Sequence, residues 1–308
     1  MLDPKVVILM GTYNGQRYLK EQLDSICAQT HTNWELWVSD DGSSDNTHQI
    51  LTDYQTRLGK KVLRIVAGPR KGFFANFLSL VCHENLVGTY FAYSDQDDIW
   101  LPTKLQTAVN WLNTVPEDTP ALYCGRTKLV NEHGHVIGCS PLFKKRPGFL
   151  NALIQNIGGG NTMVFNKSAL NLLREAGDTI TIVAHDWWTY MLVSGAGGVV
   201  FYDPNPALDY RQHGNNQIGG NVGWSARLDR LLLLFKGQLK TWNDLNFHAL
   251  LSIKHRLTED NKQVLMDIMA ARQCGVISKV IKLQRLGIYR QTLAGNIGLI
   301  AAAVFNKI

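Results

Sequence analysis

The first 113 residues alternate between short apolar runs and stretches in which apolar side chains recur every three or four positions. Four apolar runs predict strands buried on both faces, at Lys5–Met10, Trp34–Val38, Val62–Val66 and Tyr90–Tyr93. The intervening stretches have helical spacing, as at Tyr18, Leu19, Leu23 and Ile26. This alternation predicts an α/β fold with a doubly wound, mostly parallel sheet.

After residue 113 the regular alternation of predicted strands and helices ends. Further strands, some of them antiparallel, are predicted at Ala121–Val130, Val136–Cys139, Thr162–Phe165, Gly197–Tyr202 and Ala207–Arg211, and a short helix is predicted after His185–Trp188. After Gly223 apolar residues recur only at helical spacing, as at Leu228, Leu231, Leu232 and Phe235. We therefore divide the chain into an α/β domain, residues 1–217, and a C-terminal helical region, residues 218–308.

Composition and charge narrow the class of protein. With 45% hydrophobic and 18% charged residues in 308, the chain is not a disordered one. Its five cysteines form no CxxC pair, and no positively charged segment precedes the short apolar run at the start, so a cytoplasmic protein without a secretory signal is expected. The formal charge of +6 favours an anionic partner, which could be a nucleic acid, a phosphorylated small molecule or an acidic lipid surface.

Polar residues that directly follow predicted strands are the candidates for chemistry, because ligands of doubly wound sheets bind beyond the carboxyl ends of the strands. Three clusters qualify: Thr12–Asn14, Asp40–Ser43 and Asp95–Asp98. The first two also consist of ordinary turn residues. The third has three carboxylates in four positions, which favours a divalent cation over a merely solvated acidic turn. Neither a phosphate-binding glycine motif nor an EF-hand loop is present.

These segments carry a resemblance to a known family. Val6–Asn14, Trp34–Thr47 and Phe91–Pro102 resemble, in order and spacing, the inverting glycosyltransferases of family 2, which have the GT-A fold. The similarity continues through Gly158–Phe165, His185–Trp188 and Tyr210–Asn216, and these later segments resemble the bacterial rhamnosyltransferase-like branch that builds O-antigen and other surface polysaccharides. The resemblance implies a Rossmann-like sheet flanked by helices, with a nucleotide-binding half at 1–113 and an acceptor-binding half at 114–217.

The resemblance also implies a donor site. Asp41 matches the carboxylate that accepts a hydrogen bond from a pyrimidine ring, and Thr12, Tyr13 and Asn14 would line the pocket of a UDP- or dTDP-sugar. Asp95 and Asp97 match the family's DxD motif, so Mg²⁺ or Mn²⁺ is the implied cofactor. Asp98 would lie in the second shell of the metal or would face the sugar. Asp97 and Asp95 would then serve as metal ligands, with Asp97 the better candidate for direct coordination. His213 would add a ligand or a contact to the diphosphate, or would instead be satisfied by backbone groups.

The acceptor side is implied in the same way. Asp186 matches the general base, although it could instead be the N-cap of a helix beginning at Trp187. Asn161, Trp187 and Trp188 are the candidates for acceptor contacts, and the two tryptophans could equally pack in the core. His185 stands where many members have glutamate. The chain has no Q-x-x-R-W motif, so the addition of a single sugar is favoured over processive synthesis.

The expected protein is thus a metal-dependent glycosyltransferase that moves L-rhamnose from dTDP-L-rhamnose to a lipid-linked saccharide. The alternatives are a UDP-hexose donor, a non-catalytic sugar-binding protein and a nucleic-acid-binding protein; the acidic cleft disfavours nucleic acid. Residues 276–305 interleave cationic and apolar side chains over a length too short to span a bilayer. They predict either an amphipathic segment on the inner face of the bacterial inner membrane or a helix packed on the catalytic domain.

Overall fold

A seven-stranded sheet forms the centre of the molecule. The computed structural model describes residues 3–213 and 238–308. The strands are β1 (Val6–Thr12), β2 (Trp34–Asp40), β3 (Leu63–Ala67), β4 (Tyr90–Ser94), β5 (Ile99–Trp100), β6 (Ala121–Gly125), β7 (Lys128–Val130), β8 (Val136–Cys139), β9 (Val164–Asn166), β10 (Val199–Asp203) and β11 (Leu208–Arg211). The large sheet has the order β10-β6-β9-β4-β1-β2-β3, and β5, β11, β7 and β8 form a second, four-stranded sheet.

The large sheet is mixed and mostly parallel, as the sequence predicts. Strands β3, β2, β1 and β4 are parallel neighbours, β9 runs antiparallel to both β4 and β6, and β6 pairs in parallel with β10. The parallel half therefore places the carboxyl ends of β2, β1 and β4 side by side. That edge is the one to which the sequence assigns all three polar clusters.

Helices cover both faces of this sheet. They are α1 (Leu19–Cys27), α2 (Thr47–Leu58), α3 (Phe73–Val81), α4 (Lys104–Leu112), α5 (Phe149–Ala152), α6 (Lys167–Ala176) and α7 (His185–Gly195). Successive residues of β1 from Val6 to Met10 are fully buried, alternating between one apolar cluster on each side of the sheet. Because both faces are covered, the strand has no polar face to show, which explains its continuous apolar run.

The C-terminal region is helical, as predicted, in the part that the structure describes. It contains α8 (Gln238–Ser252), α9 (Glu259–Arg272), α10 (Val276–Arg285) and α11 (Leu293–Val304). Leu250 and Ile268 of these helices join the same apolar cluster as α7. The helical spacing at Leu228–Phe235 and the domain boundary near 217 lie outside the described residues. Nowhere in the described ranges is a helix long and apolar enough to cross a membrane.

Two expectations about local structure are wrong. The run Ala121–Val130 is two strands, because the chain leaves the large sheet after Gly125 and the backbone of Arg126 bonds to Asp203 O before β7 joins the small sheet. The helix expected after Trp188 begins at His185 instead, with Ala184 as its N-cap residue. Asp186 consequently lies inside the first helical turn and is not the N-cap.

The side chain of Asn166 ties three elements together at the edge of the antiparallel half. Its Oδ1 accepts the amides of Ala169 and Ala121, both at 3.0 Å, and its Nδ2 donates to Thr119 O at 2.8 Å. The residue is buried, so water does not replace these bonds if they are lost.

We expect Asn166→Ala to lower the free energy of unfolding by about 2–4 kcal/mol, because it removes a helix cap and leaves buried amides unpaired. Urea-induced unfolding measures this. The exposed Asn85→Ala serves as the matched control and should change stability by less than about 0.5 kcal/mol. If the two substitutions lowered stability equally, the hydrogen bonds of Asn166 would not be the source of the stabilisation.

Candidate functional site

The loops that follow β1, β2 and β4 are joined by side-chain hydrogen bonds. Gln96, from the loop after β4, accepts from the amide of Tyr13 and donates to its carbonyl, both at 3.0 Å. Asn14 Oδ1 accepts the amide of Ser44 at 2.8 Å, linking the loops after β1 and β2. A Cβ at Gly15 would overlap the amide of the Gln96 side chain, so a larger residue there would displace Gln96 from its bonds to Tyr13. The three polar clusters therefore lie together at one edge of the sheet, and we call this region the cleft.

Within this cleft the residues predicted to line a nucleotide pocket have different environments. Thr12 is buried, and its hydroxyl contacts Asp40 Oδ1 at 3.2 Å. Asn14 has φ of 49° and uses its amide oxygen to hold the neighbouring loop. The Tyr13 ring is 59% exposed at the mouth of the cleft. Thr12 and Asn14 thus hold the loops in place, and Tyr13 has the surface that a ligand could contact.

Asp41, the residue predicted to recognise the nucleotide base, directly follows β2 and is largely buried. Its Oδ1 accepts the amide of Arg70 at 2.5 Å, and its Oδ2 accepts the amide of Gly72 at 2.9 Å. These two bonds fix the carboxylate against the loop after β3, and each oxygen retains a second lone pair for a further donor. The sequence analysis missed this loop. Its signal is Gly68-Pro69-Arg70-Lys71-Gly72, a basic glycine-rich turn that also follows a strand.

The acidic turn after β4 is held by residues distant in sequence. Asp97 Oδ2 lies 2.8 Å from His213 Nε2, and the main-chain carbonyl of Asp97 accepts from Arg211 Nε at 3.2 Å. Arg211 is buried and also forms an ion pair with Glu21 at 2.5 Å. A fixed guanidinium therefore positions the turn, and the structure brings together the predicted pair Asp97 and His213.

Asp98 is fully buried beneath this turn. Its Oδ2 accepts from Asn161 Nδ2 at 2.6 Å, while its Oδ1 has no hydrogen-bond partner. Burial first, and then the charges of Asp97 and Asp95, raise the pKa of Asp98 well above its ordinary value. Asn161, which we expected at the acceptor, thus makes its close contact with the acidic turn.

Lys104 is a buried lysine whose charge interacts with Asp95 and Asp98 of the acidic turn. Its ammonium group is buried 3.6 Å from the Trp100 ring centroid, and burial lowers the pKa of Lys104 to about 7, opposed by the charges of Asp98 and Asp95. The sequence analysis overlooked this residue because its position at the start of α4 resembles that of any surface lysine. When protonated, Lys104 offsets part of the negative charge of Asp95 and Asp98 through space.

Asp186 lies in the first turn of α7, near the acidic turn. Its Oδ2 accepts the amide of Gly160 at 3.1 Å and its Oδ1 that of Trp187 at 2.6 Å. Burial raises the pKa of Asp186 to about 6, although these hydrogen bonds lower it. Burial and the charges of Asp97 and Asp186 also raise the pKa of Asp95, so Asp95 and Asp186 are close enough to interact electrostatically.

Comparison with known proteins decides the family. The family model described as "Glycosyl transferase family 2" matches residues 7–171, which include β1 to β4, the acidic turn and Asn161. The chain belongs to glycosyltransferase family 2. It is therefore a glycosyltransferase, and the sheet with its antiparallel β9 is the GT-A fold expected from the sequence.

Individual relatives of this glycosyltransferase differ in their substrates. The dTDP-rhamnosyl transferase RfbG of Shigella flexneri is 31% identical over 73% of this chain and 78% of its own. The UDP-Glc:alpha-D-GlcNAc-diphosphoundecaprenol beta-1,3-glucosyltransferase WfgD of Escherichia coli is 28% identical over 56% of this chain and 64% of its own. A mannosyltransferase from Pyrobaculum calidifontis, solved with GDP-Man and Mn²⁺, has a TM-score of 0.53 and 20% identity over 99% of this chain and 88% of its own.

His185 lies beside Asp186 in the glycosyltransferase but in an apolar environment. Its ring stacks on Phe77 at a centroid distance of 3.9 Å, and neither ring nitrogen has a hydrogen-bond partner. Burial lowers the pKa of His185 to about 3. A group with so low a pKa is a weak base near neutral pH, so Asp186 is the better candidate of the two. A Cβ at Gly160 would meet His185 Nε2 at 2.5 Å, which explains the glycine there.

The two tryptophans predicted at the acceptor site belong to α7 and are buried in the apolar core of the protein. Trp188 is fully buried, and Trp187 is 6% exposed and donates its indole N–H to Ala152 O at 2.7 Å. Trp187 also meets the Trp242 ring of α8 edge-on, with centroids 6.2 Å apart. Since sugar stacking requires an accessible ring face, we assign both rings a packing role and do not include them in the proposed site.

Proposed function

We propose that this glycosyltransferase is an inverting, metal-dependent enzyme that moves one sugar, L-rhamnose from dTDP-L-rhamnose, to a lipid-linked oligosaccharide during synthesis of O-antigen or another surface polysaccharide. The observation that carries the proposal is that Asp41 and the acidic turn follow strands whose carboxyl ends adjoin, and that Asp186 is near enough to Asp95 to interact with its charge. The similarity to RfbG over most of both chains supports the donor.

On the donor side, the proposal assigns base recognition to Asp41. A carboxylate accepts but does not donate hydrogen bonds, so it selects a ring N–H such as that of thymine or uracil. The bonds from Arg70 and Gly72 hold the carboxylate in place before the donor arrives, which reduces the entropy lost on binding. Tyr13 has the exposed ring needed to cover the base.

The donor set of the acidic turn fits Mg²⁺ or Mn²⁺. Asp97 Oδ2 and His213 Nε2 lie 2.8 Å apart, and Asp95 and Asp98 add further carboxylates nearby. No group of three such side chains within residues 3–213 and 238–308 converges closely enough to hold an ion alone, so the donor's diphosphate would complete the coordination. A bound cation would neutralise charge on the departing nucleotide.

On the acceptor side, Asp186 is the proposed base. As its carboxylate takes the proton, the acceptor hydroxyl oxygen bonds to the anomeric carbon, and the bond from that carbon to the diphosphate breaks on the opposite face. The outcome is inversion at the anomeric carbon, with the diphosphate keeping the bonding electrons. Burial gives Asp186 a pKa of about 6, which makes it a stronger base than an exposed aspartate.

A UDP-hexose is the alternative donor. WfgD is named for a UDP-Glc donor and a diphosphoundecaprenol acceptor, and a carboxylate such as Asp41 serves uracil as well as thymine. The same relative supports the lipid-linked acceptor. For such an acceptor we propose a place at the inner face of the inner membrane, with the C-terminal helices directed toward the bilayer.

Donor profiling tests the choice between these donors. We expect nucleotide release from dTDP-L-rhamnose to exceed release from UDP-glucose or UDP-GlcNAc by about tenfold or more. Purified protein is incubated with each donor and a lipid extract, and nucleoside diphosphate is quantified. A preference for a UDP-sugar would replace the rhamnose assignment, and turnover of none in the presence of Mn²⁺ would contradict the donor site itself.

The metal assignment predicts that Asp97→Ala and His213→Ala each weaken Mn²⁺ binding by about tenfold or more, because each removes one of two adjacent ligand atoms. Isothermal titration of Mn²⁺ in the presence of dTDP measures this. The exposed Asp118→Ala is the matched control, and wild-type affinity in both site variants would refute the assignment.

The base assignment predicts that Asp186→Asn lowers the transfer rate by at least about a hundredfold while dTDP binding is unchanged. In the wild-type enzyme kcat/KM should rise with pH through about 6, because Asp186 must lose its proton to act as a base. The residual activity of the variant should lack that rise. A folded Asp186→Asn enzyme with a near wild-type rate would show that the base lies elsewhere.

A further inference from the structure

The positive charge of the protein is concentrated at its C-terminal end. Residues 268–308 contain six Lys and Arg and no Asp or Glu, so their formal charge is +6. The formal charge of the whole chain is also +6. Residues 1–267 are therefore neutral overall. Of these six cations, Lys282 and Arg285 are exposed, whereas Lys279 is buried and Arg272 forms an ion pair with Asp244. The exposed cations give this end of the protein a surface that attracts anions.

The same segment exposes apolar side chains in a regular row. Leu293, Ile297, Ile300 and Val304 of α11 are 43–79% exposed. Their spacing of four, three and four residues places them on one face of the helix. Ile277 and Ile281 of α10 are also exposed, one turn apart. Scattered single apolar residues need no explanation, but a helical row does.

A second cationic element lies against this segment. Lys144, Lys145 and Arg146 are consecutive and exposed, in the loop before α5. The buried Gln291, between α10 and α11, accepts the amide of Lys145 and donates to its carbonyl, both at 3.1 Å. The hydroxyl of Tyr289 donates to Arg146 O. The loop and the linker between the last two helices are therefore joined as one surface.

This loop is also fixed to the helix that carries the proposed base. The hydroxyl of the buried Tyr190, in α7, accepts the amide of Gly148 at 2.9 Å and lies 3.0 Å from its carbonyl. Asp186 is one turn earlier in the same helix. The orientation of the cationic loop is thus set relative to the acceptor side of the cleft.

We propose that the Lys144–Arg146 loop and helices α10 and α11 form one surface that binds an anionic phospholipid bilayer and sets the orientation of α7 toward the membrane. The proposal rests on the proposed function only in giving the lipid-linked acceptor its location. Helix α11 has 12 residues, about 18 Å, against a hydrocarbon core of about 30 Å, so it lies in the interface without crossing it. A second copy is a poor occupant of this surface, because it would place like charges against each other.

Vesicle flotation tests the surface. Wild-type protein should bind vesicles of mixed phosphatidylglycerol and phosphatidylcholine and should not bind phosphatidylcholine alone. Lys144→Gln/Arg146→Gln should weaken binding by at least about tenfold, since each basic residue near an anionic surface contributes severalfold. The matched control is Lys60→Gln/Lys61→Gln, which removes two exposed neighbouring cations between α2 and β3 and should bind like wild type. Equal behaviour of the two double variants would overturn the inclusion of the loop.

The apolar row has its own test. Ile297→Ser/Val304→Ser should reduce flotation without changing dTDP binding, which separates this surface from the nucleotide site. A wild-type dimer in size-exclusion chromatography that this variant dissociates would assign the row to a second copy and overturn the proposal. Loss of flotation leaves the donor and base assignments unaffected, and failure of those assignments leaves flotation unchanged.

Discussion

The accumulation of carboxylates at the carboxyl end of β4 is the constraint on which the site depends. Asp95, Asp97 and Asp98 follow one strand, and Asp186 faces them from α7. Burial of like charges is costly, so each carboxylate needs a compensating group. Arg211 donates to the main-chain carbonyl of Asp97, and the charge of Lys104 interacts with Asp95 and Asp98. A backbone amide donates to Asp186. The carboxylates of the acidic turn still repel one another, and a bound cation would relieve this repulsion.

The rest of the cleft serves to hold these groups in place. Gln96 and Asn14 join loops that follow three different strands, and Asn161 reaches the buried Asp98 from the antiparallel half. Asn14 and Asn161, which the family pattern suggests as ligand contacts, therefore use their side chains to hold neighbouring segments. Such supporting bonds matter for catalysis because small displacements of a reacting group cost much of the rate.

One helix, α7, contacts both the proposed membrane surface and the proposed catalytic cleft. Helix α7 begins at the proposed base and continues to Tyr190, which holds the backbone of the cationic loop. The tryptophans of α7 fill the core between these two ends, with Trp187 against α8. A lipid-linked acceptor approaching from a membrane would meet the loop and the base at a fixed separation. Under these two proposals, the packing of α7 would fix the position of the base relative to the membrane.

The sequence alone determined the parallel half of the sheet and the position of the polar clusters. Continuous apolar runs at Val6–Met10 and Tyr90–Tyr93 can satisfy their burial only inside a covered parallel sheet, and the carboxyl ends of such strands meet at one edge. The motifs in order along the chain added the family, which the family model confirms. These features are local in sequence or follow from topology, so pattern was sufficient.

Only the tertiary structure decided which side chains are hydrogen-bonded, ion-paired or packed against one another. The partners of Asp98 and of Asp97 are Asn161 and His213, 63 and 116 residues away, and no periodicity encodes such pairs. The split of Ala121–Val130 between two sheets and the start of α7 at His185 depend on which hydrogen-bond partners the neighbouring elements offer. The attachment of the Lys144–Arg146 loop to Gln291 is of the same kind. Contacts between distant segments form only when the chain has folded, and they are decided by the geometry of packing.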